Sequence, residues 1–281
     1  MPTLGRRRAL GQHFLRDLKV CETIATTAVD LAREHRCPRV LEIGPGKGAI
    51  TLPILRLLST HFAHDARPEL LLSERDAKIA EEWRAEEQSG SLRVEEADFM
   101  DLPFERWGTK SPLAVVSNLP YSAGTAILTK LAAHAVSDVR IPFMVLMFQA
   151  EVAQRLRAKS STKDWGSLSV WIQNRWDVTK LLTVAPGAFV PPPEVQSEVV
   201  VLKYRETPHV PIPAGADAEK RWEGLLKACF SHRRKMLRAG LKGSPLHRNA
   251  LEASGVDGTK RAEALTWSEW QALFEALLRQ K

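Results

Sequence analysis

The sequence predicts an α/β protein, a parallel sheet covered by helices and followed by a small all-helical domain, and three observations predict it. From residue 22 to about 148, helix-like and strand-like segments alternate, as they do when crossover helices join parallel strands. The stretch Glu206–Ala216, with three prolines and a glycine, then breaks all periodicity. Beyond it, apolar residues return at helical spacing only.

Each element has its own reason. Ile24, Ala25, Ala28, Leu31 and Ala32 recur at helical spacing, and Pro38 stops that helix because its ring lacks a donor and clashes with the preceding turn. The short apolar run Val40–Ile43 follows as a strand. Further strands are expected at 69–73, 92–95, 113–117 and 143–148, and the β-branched run in Ser197–Tyr204 suits a strand at the far side of the sheet. Trp222, Leu225, Leu226, Cys229 and Phe230 make one apolar helical face, and Trp267, Trp270, Leu273, Phe274 and Leu277 make another. The expected division is an α/β domain over 1–205, a linker over 206–218 and a helical domain over 219–281. Trp165, Trp171 and Trp176 are expected to pack between elements.

The 281 residues are 44% hydrophobic and 26% charged, the balance of an ordinary folded chain. The apolar run Ile141–Phe148 has eight residues, against the roughly 20 that cross a bilayer, so no membrane span is expected. Arg6–Arg8 run into polar residues before any apolar stretch develops, unlike a secretion signal. Three widely spaced cysteines argue against both a disulfide framework and a zinc site, and they suit a reducing cytoplasm. The net charge is +7, and the window Glu219–Arg248 carries all of that excess, with nine Lys or Arg against two Glu. Arg233, Arg234 and Lys235 are its densest part, and phosphates of a nucleic acid are the partner such a cluster fits.

Three motifs carry chemistry. In Val40–Thr51 (VLEIGPGKGAIT), glycines at 44, 46 and 48 permit a sharp strand-to-helix turn and close approach of the backbone to a ligand. A nucleotide-like cofactor fits there, although a plain tight turn uses the same residues. The spacing and the residue after Lys47 exclude a phosphate-binding P-loop. Asp98, just past the expected strand at 92–95, can accept a hydrogen bond from an adenine amine or simply cap a turn. In Ser117–Ser122 (SNLPYS), the Asn118 side-chain oxygen and the Leu119 carbonyl can both accept hydrogen bonds from an amine on a flat ring. Such an amine is a poor nucleophile because its lone pair is delocalised; two acceptors draw it toward tetrahedral geometry. Pro120 stiffens the loop, and Tyr121 can stack on a flipped base. With a sulfonium methyl as electrophile, neither a metal nor a strong base is needed.

On these residues the chain resembles the KsgA family of ribosomal small-subunit RNA adenine dimethyltransferases, a branch of the Rossmann-like methyltransferases. Six ordered motifs carry the resemblance over nearly the whole chain: GQHFLRD (Gly11–Asp17), EIGPGKGAIT (Glu42–Thr51), EADF (Glu96–Phe99), NLPYS (Asn118–Ser122), APGAFVPPPEVQSEVV (Ala185–Val200) and CFSHRRKMLRAGL (Cys229–Leu241). It implies S-adenosylmethionine as cofactor and N6-dimethylation of two adjacent adenosines near the 3′ end of small-subunit (16S) ribosomal RNA, within an immature subunit. It also implies that His13, Leu15, Gly44, Gly46, Asp98, Phe99 and Asn118 line the cofactor site. Asn118, Leu119, Pro120 and Tyr121 would form the catalytic loop, and Tyr121 and Phe189 would sandwich the target adenine. Nothing marks an obligate interface, so a monomer is expected.

One strand departs from the family pattern, which ends in Glu-hydrophobic-Asp, the first acid gripping the cofactor ribose. Here the strand reads LLLSERD (Leu70–Asp76), and direct matching puts Leu72 at the ribose. The long preceding stretch HFAHDARPE favours a shift of two residues, which brings Glu74 there. Two rivals share these motifs: large-subunit (23S) adenine methyltransferases of the macrolide-resistance type, and nonenzymatic nucleic-acid-binding factors on the same fold. The intact glycine and Asn-Leu-Pro-Tyr loops argue against the second.

Overall fold

The computed structural model describes residues 13–87, 90, 92–107, 111–137 and 140–280. Arg6–Arg8 and the first two residues of GQHFLRD lie outside them. The chain divides into two compact units: the part up to Ala153 together with Val178–Tyr204, and Gln154–Asp177 together with the chain from Arg205 onward. The boundary at Arg205 lies where the proline-rich stretch begins. Residues 154–177 group with the second unit, a long-range association that a linear boundary at 205 does not anticipate.

The first unit is built on β2 (Arg39–Ile43), β3 (Glu69–Glu74), β4 (Leu92–Glu96), β5 (Leu113–Asn118), β6 (Phe143–Gln149), β7 (Trp176–Val184) and β9 (Ser197–Tyr204), in the order β4-β3-β2-β5-β6-β9-β7. The first five are parallel, and β9 runs antiparallel to β6. The expected strand at the far side is therefore present, with β7 beyond it at the edge. Between its buried ends, β7 carries only exposed and half-buried residues, so it lacks the apolar run that marks the central strands.

Helix α1 (Leu18–Glu34) starts at Asp17, whose carboxylate accepts the backbone N–H groups of Lys19 and Val20. Its buried stripe of Cys21, Ile24, Ala25, Ala28, Val29, Leu31 and Ala32 packs against α2 (Thr51–His61) and the central strands β5 and β6. Helix α3 (Ala77–Glu87) follows β3 and lies against β3 and β4. A two-residue ladder joins β1 (Phe14–Leu15) to β8 (Phe189–Val190), pairing Phe14 with Val190 and Leu15 with Phe189. Because β2 to β5 are parallel and pair in register, Ile43, Glu74, Glu96 and Asn118 reach the same edge of the sheet. Ligands of open α/β sheets bind at these carboxyl ends.

The second unit has its own core. Trp222, Leu225, Leu226 and Phe230 on one helix (Ala216–Phe230) meet Trp270, Leu273 and Phe274 on the last (Trp267–Leu278). Trp222 makes edge contacts with Trp270 and Phe274. Asn174 ties residues 154–177 to this unit by exchanging two hydrogen bonds with the backbone of Val210, and Arg175 pairs with Glu219. Trp165 and Trp176 are buried, as expected of packing residues. No described helix is long and apolar enough to cross a membrane.

Candidate functional site

One concave pocket opens at the carboxyl ends of the strands in the first unit. It is lined by His13, Phe14 and Leu15, by 42–47 at the end of β2 and the turn after it, by Ser73–Arg75, by Ala97–Phe99, and by 118–123 from the last residue of β5 onward. Gly44 and Gly46 of the glycine turn, Asp98 and Asn118–Tyr121 all reach it, as do His13, Leu15 and Glu74, whereas Gly48 does not line it.

The glycine turn is conformationally special. Gly44, Gly46 and Gly48 have φ of +68°, +53° and +84°, a region that side chains other than glycine rarely adopt. The Glu74 carboxylate, only 5% exposed, accepts the Gly46 N–H at 3.2 Å and the Asp76 N–H at 2.9 Å. Leu72, at the other candidate ribose position, pairs with Glu42 inside the sheet and is fully buried in the apolar core. The β3 ladder runs on past Leu72 to Glu74, and Glu74 lines the pocket where Leu72 does not.

Asp98 caps the turn after β4 and lines the pocket. It accepts the Met100 N–H at 2.9 Å, an ordinary turn-closing bond, and its other oxygen lies 3.3 Å from Arg75 at the pocket rim. Phe99 is buried against Phe104 and Trp107. The Lys130 ammonium donates to the carbonyls of Phe99, Met100 and Leu102, fixing the loop after β4.

The Asn118–Tyr121 loop is equally constrained. The Asn118 amide nitrogen faces the His13 carbonyl at 3.5 Å, which leaves its oxygen as the atom available to accept. The Pro120 carbonyl accepts the N–H groups of Ala123 and Gly124, closing the turn. The Tyr121 hydroxyl is 2.6 Å from Ser197 Oγ on β9. Burial raises the Tyr121 pKa, with Ser197 pulling the other way, so the ring is a neutral phenol.

Phe189 is not brought to the pocket. It is 1% exposed and packs in the core opposite Leu15. Successive residues of a strand point to opposite faces, so Val190 turns outward and Phe189 inward. The ring beside Tyr121 is instead His13, with centroids 5.4 Å apart, and His13 is anchored through Nδ1 to the Pro191 carbonyl at 2.8 Å. The two-sided stack expected from the sequence is therefore absent from this arrangement.

In the second unit, Arg234 and Lys235 are exposed. Arg233 is committed locally: its guanidinium donates to the carbonyls of Lys163 and Trp165 at 2.7 Å each and lies 3.8 Å from Glu263.

Sequence reasoning missed Glu42. This residue sits in β2, is 2% exposed and lines the pocket. Burial pushes its carboxyl up to about 8, with the Thr51 hydroxyl opposing and the nearby Glu74 charge adding to the rise. Its Oε2 has no hydrogen-bond partner among the described residues. An acid inside an apolar strand directly before a glycine turn was the available signal.

The parallel sheet, the glycine turn and the Asn-Leu-Pro-Tyr loop together define a Rossmann-like methyltransferase that uses S-adenosylmethionine. The family model of ribosomal RNA adenine dimethylase matches residues 4–278. Ribosomal RNA small subunit methyltransferase A of Laribacter hongkongensis is 37% identical over 267 residues, covering 95% of this chain and 94% of the relative. Its counterpart from Rhodospirillum rubrum is 37% identical over 279 residues, covering 98% and 88%. Among solved structures, the 23S rRNA methyltransferase ErmE superposes with a TM-score of 0.62 at 26% identity, covering 95% of this chain and all of that one. A dimethyladenosine transferase from Plasmodium falciparum gives 0.68 at 23% identity over 93% and 96%, a likeness of fold. The chain belongs to the ribosomal RNA adenine dimethylase family.

Proposed function

We propose that the protein transfers methyl groups from S-adenosylmethionine to the N6 amines of two adjacent adenosines near the 3′ end of small-subunit ribosomal RNA. It would act as a monomer in the cytoplasm on an immature small subunit. The observation that carries this reading is the convergence of the glycine turn, Glu74, Asp98 and the Asn118–Tyr121 loop on one pocket. The names of the similar proteins favour the small subunit over the large one.

The pocket fits the cofactor. Left-handed Gly44 and Gly46 present backbone without side chains, Glu74 offers a carboxylate to the ribose diol, and Asp98 and Phe99 flank an adenine. The unpartnered, buried Glu42 Oε2 suits the positive end of the cofactor. When bound, S-adenosylmethionine supplies an electrophilic methyl.

The chain's own residues then prepare the nucleophile. The Asn118 oxygen and the Leu119 carbonyl accept the two N–H groups of the target amine, localising its lone pair. Pro120 keeps these acceptors in place, because its own carbonyl closes the turn onto Ala123 and Gly124. Tyr121, held at its hydroxyl by Ser197, provides a fixed face for the flipped base. Phe189 supports that face indirectly, through the β1–β8 ladder that carries His13. Arg234 and Lys235 contact RNA phosphates, which position the substrate without choosing the base. Methyl transfer from labelled cofactor to immature small subunits, compared with large-subunit RNA, tests the reading. Labelling of large-subunit RNA alone would replace it with the 23S alternative, and binding without transfer would replace it with a nonenzymatic factor.

A further inference from the structure

The glycine turn is held on its far side by a residue outside all the sequence motifs. We propose that Trp83 is a positioning residue for the cofactor, setting the glycine turn in its binding geometry before the cofactor arrives. Trp83 lies on α3 and is 8% exposed. Its indole N–H donates to the Gly46 carbonyl at 2.9 Å. The Gly46 N–H is meanwhile taken by Glu74, so side chains from β3 and the next helix engage both polar groups of one glycine. The same ring fills the space over Gly48, where an added β-carbon would lie 2.8 Å from Cζ2 and Cη2 of Trp83.

Other tryptophans are used differently. Trp107, Trp165, Trp171, Trp222 and Trp270 bury indole nitrogens that have no hydrogen-bond partner among the described residues. Their contribution is apolar packing, whereas Trp83 commits its donor to the cofactor turn. The need is physical: three left-handed glycines in five residues give a turn with many accessible conformations, and ordering it during binding would cost affinity. A turn already ordered by Trp83 avoids that cost.

The inference rests on the cofactor reading above, and the test separates the two. Trp83→Phe keeps a ring over Gly48 and loses the donor; Trp222→Phe, in the other unit, controls for general loss of packing. In cofactor-free protein, amide exchange over residues 44–49 should quicken in Trp83→Phe and stay unchanged in Trp222→Phe. Affinity for S-adenosylhomocysteine, measured by calorimetry, should fall about three- to tenfold, the worth of one hydrogen bond. KM for S-adenosylmethionine should rise by the same factor, with kcat at saturation and RNA affinity within about twofold of wild type. Trp83→Leu, which also removes the ring, should show a larger loss at a temperature where both variants are folded. Wild-type affinity in Trp83→Phe, or an equal loss in Trp222→Phe, overturns the proposal. Failure of the wild-type protein itself to bind S-adenosylhomocysteine would instead overturn the cofactor reading, and the exchange rates would still report whether Trp83 orders the turn.

Discussion

Replacing Glu74 tests the junction between sequence register and cofactor chemistry. Its carboxylate is buried, accepts two backbone N–H groups, from Gly46 and Asp76, and lines the pocket. A charge-assisted hydrogen bond nets about 1.5–3 kcal/mol. Glu74→Gln keeps the shape and one acceptor oxygen, which it turns to Gly46 or Asp76 while the other N–H faces its NH2, so it should weaken S-adenosylmethionine binding by at least that amount, roughly 10- to 100-fold. Glu74→Ala should cost more, because it leaves both the Gly46 and Asp76 N–H groups without a partner and loosens the turn. Calorimetric titration of both variants with S-adenosylmethionine, with melting temperatures recorded alongside, reads the two effects separately. Wild-type affinity in both variants would refute the reasoning and assign the ribose to another group. A loss confined to Glu74→Ala would show that the carboxylate braces the turn without touching the ribose.

Three further outcomes follow from the same geometry. Asn118→Ala should reduce kcat on the order of 10²- to 10³-fold, the usual effect of removing one group that acts in the transition state, with S-adenosylhomocysteine affinity largely kept; near-normal turnover would remove the proposed role of the loop. Arg234→Gln with Lys235→Gln should weaken RNA binding and reduce the slope of log affinity against log salt by roughly 1.5, whereas Arg233→Gln should mainly lower the melting temperature because of its bonds to Lys163 and Trp165. An unchanged salt slope would make the pair a solvated surface. For Glu42, burial raises the carboxyl pKa from 4.5 to about 8, so between these values the folded state keeps a proton that the unfolded chain releases. Stability of the cofactor-free protein should therefore decline as pH rises through that window, and Glu42→Gln should flatten the decline. Melting curves from pH 5 to 8.5 check this, and equal slopes in the two proteins would contradict it.

Much of the molecule is legible in the chain because its signals are local. A buried parallel strand needs a continuous apolar run, a left-handed turn needs glycine, and a catalytic loop needs its residues in immediate succession. Val40–Ile43, the glycines at 44, 46 and 48, and Asn118–Tyr121 satisfy these needs within a few residues each, and with them came the fold class, the cofactor and the family. What the chain could not show depends on partners distant in sequence. Phe189 looked like a stacking ring until its ladder with Leu15 turned it into the core, because strand alternation decides which face a residue takes. Residues 154–177 joined the second unit through Asn174 and Val210. Glu42 became a high-pKa acid only when the sheet closed water away from it. Which of Leu72 and Glu74 reaches the pocket was undecided until pairing of β2 with β3 buried the one and left the other at the strand's end. Trp83 acquired a role through a hydrogen bond to a glycine 37 residues earlier. Such outcomes depend on which surfaces exclude water and which backbone groups come within reach, and neither exists before the chain is folded.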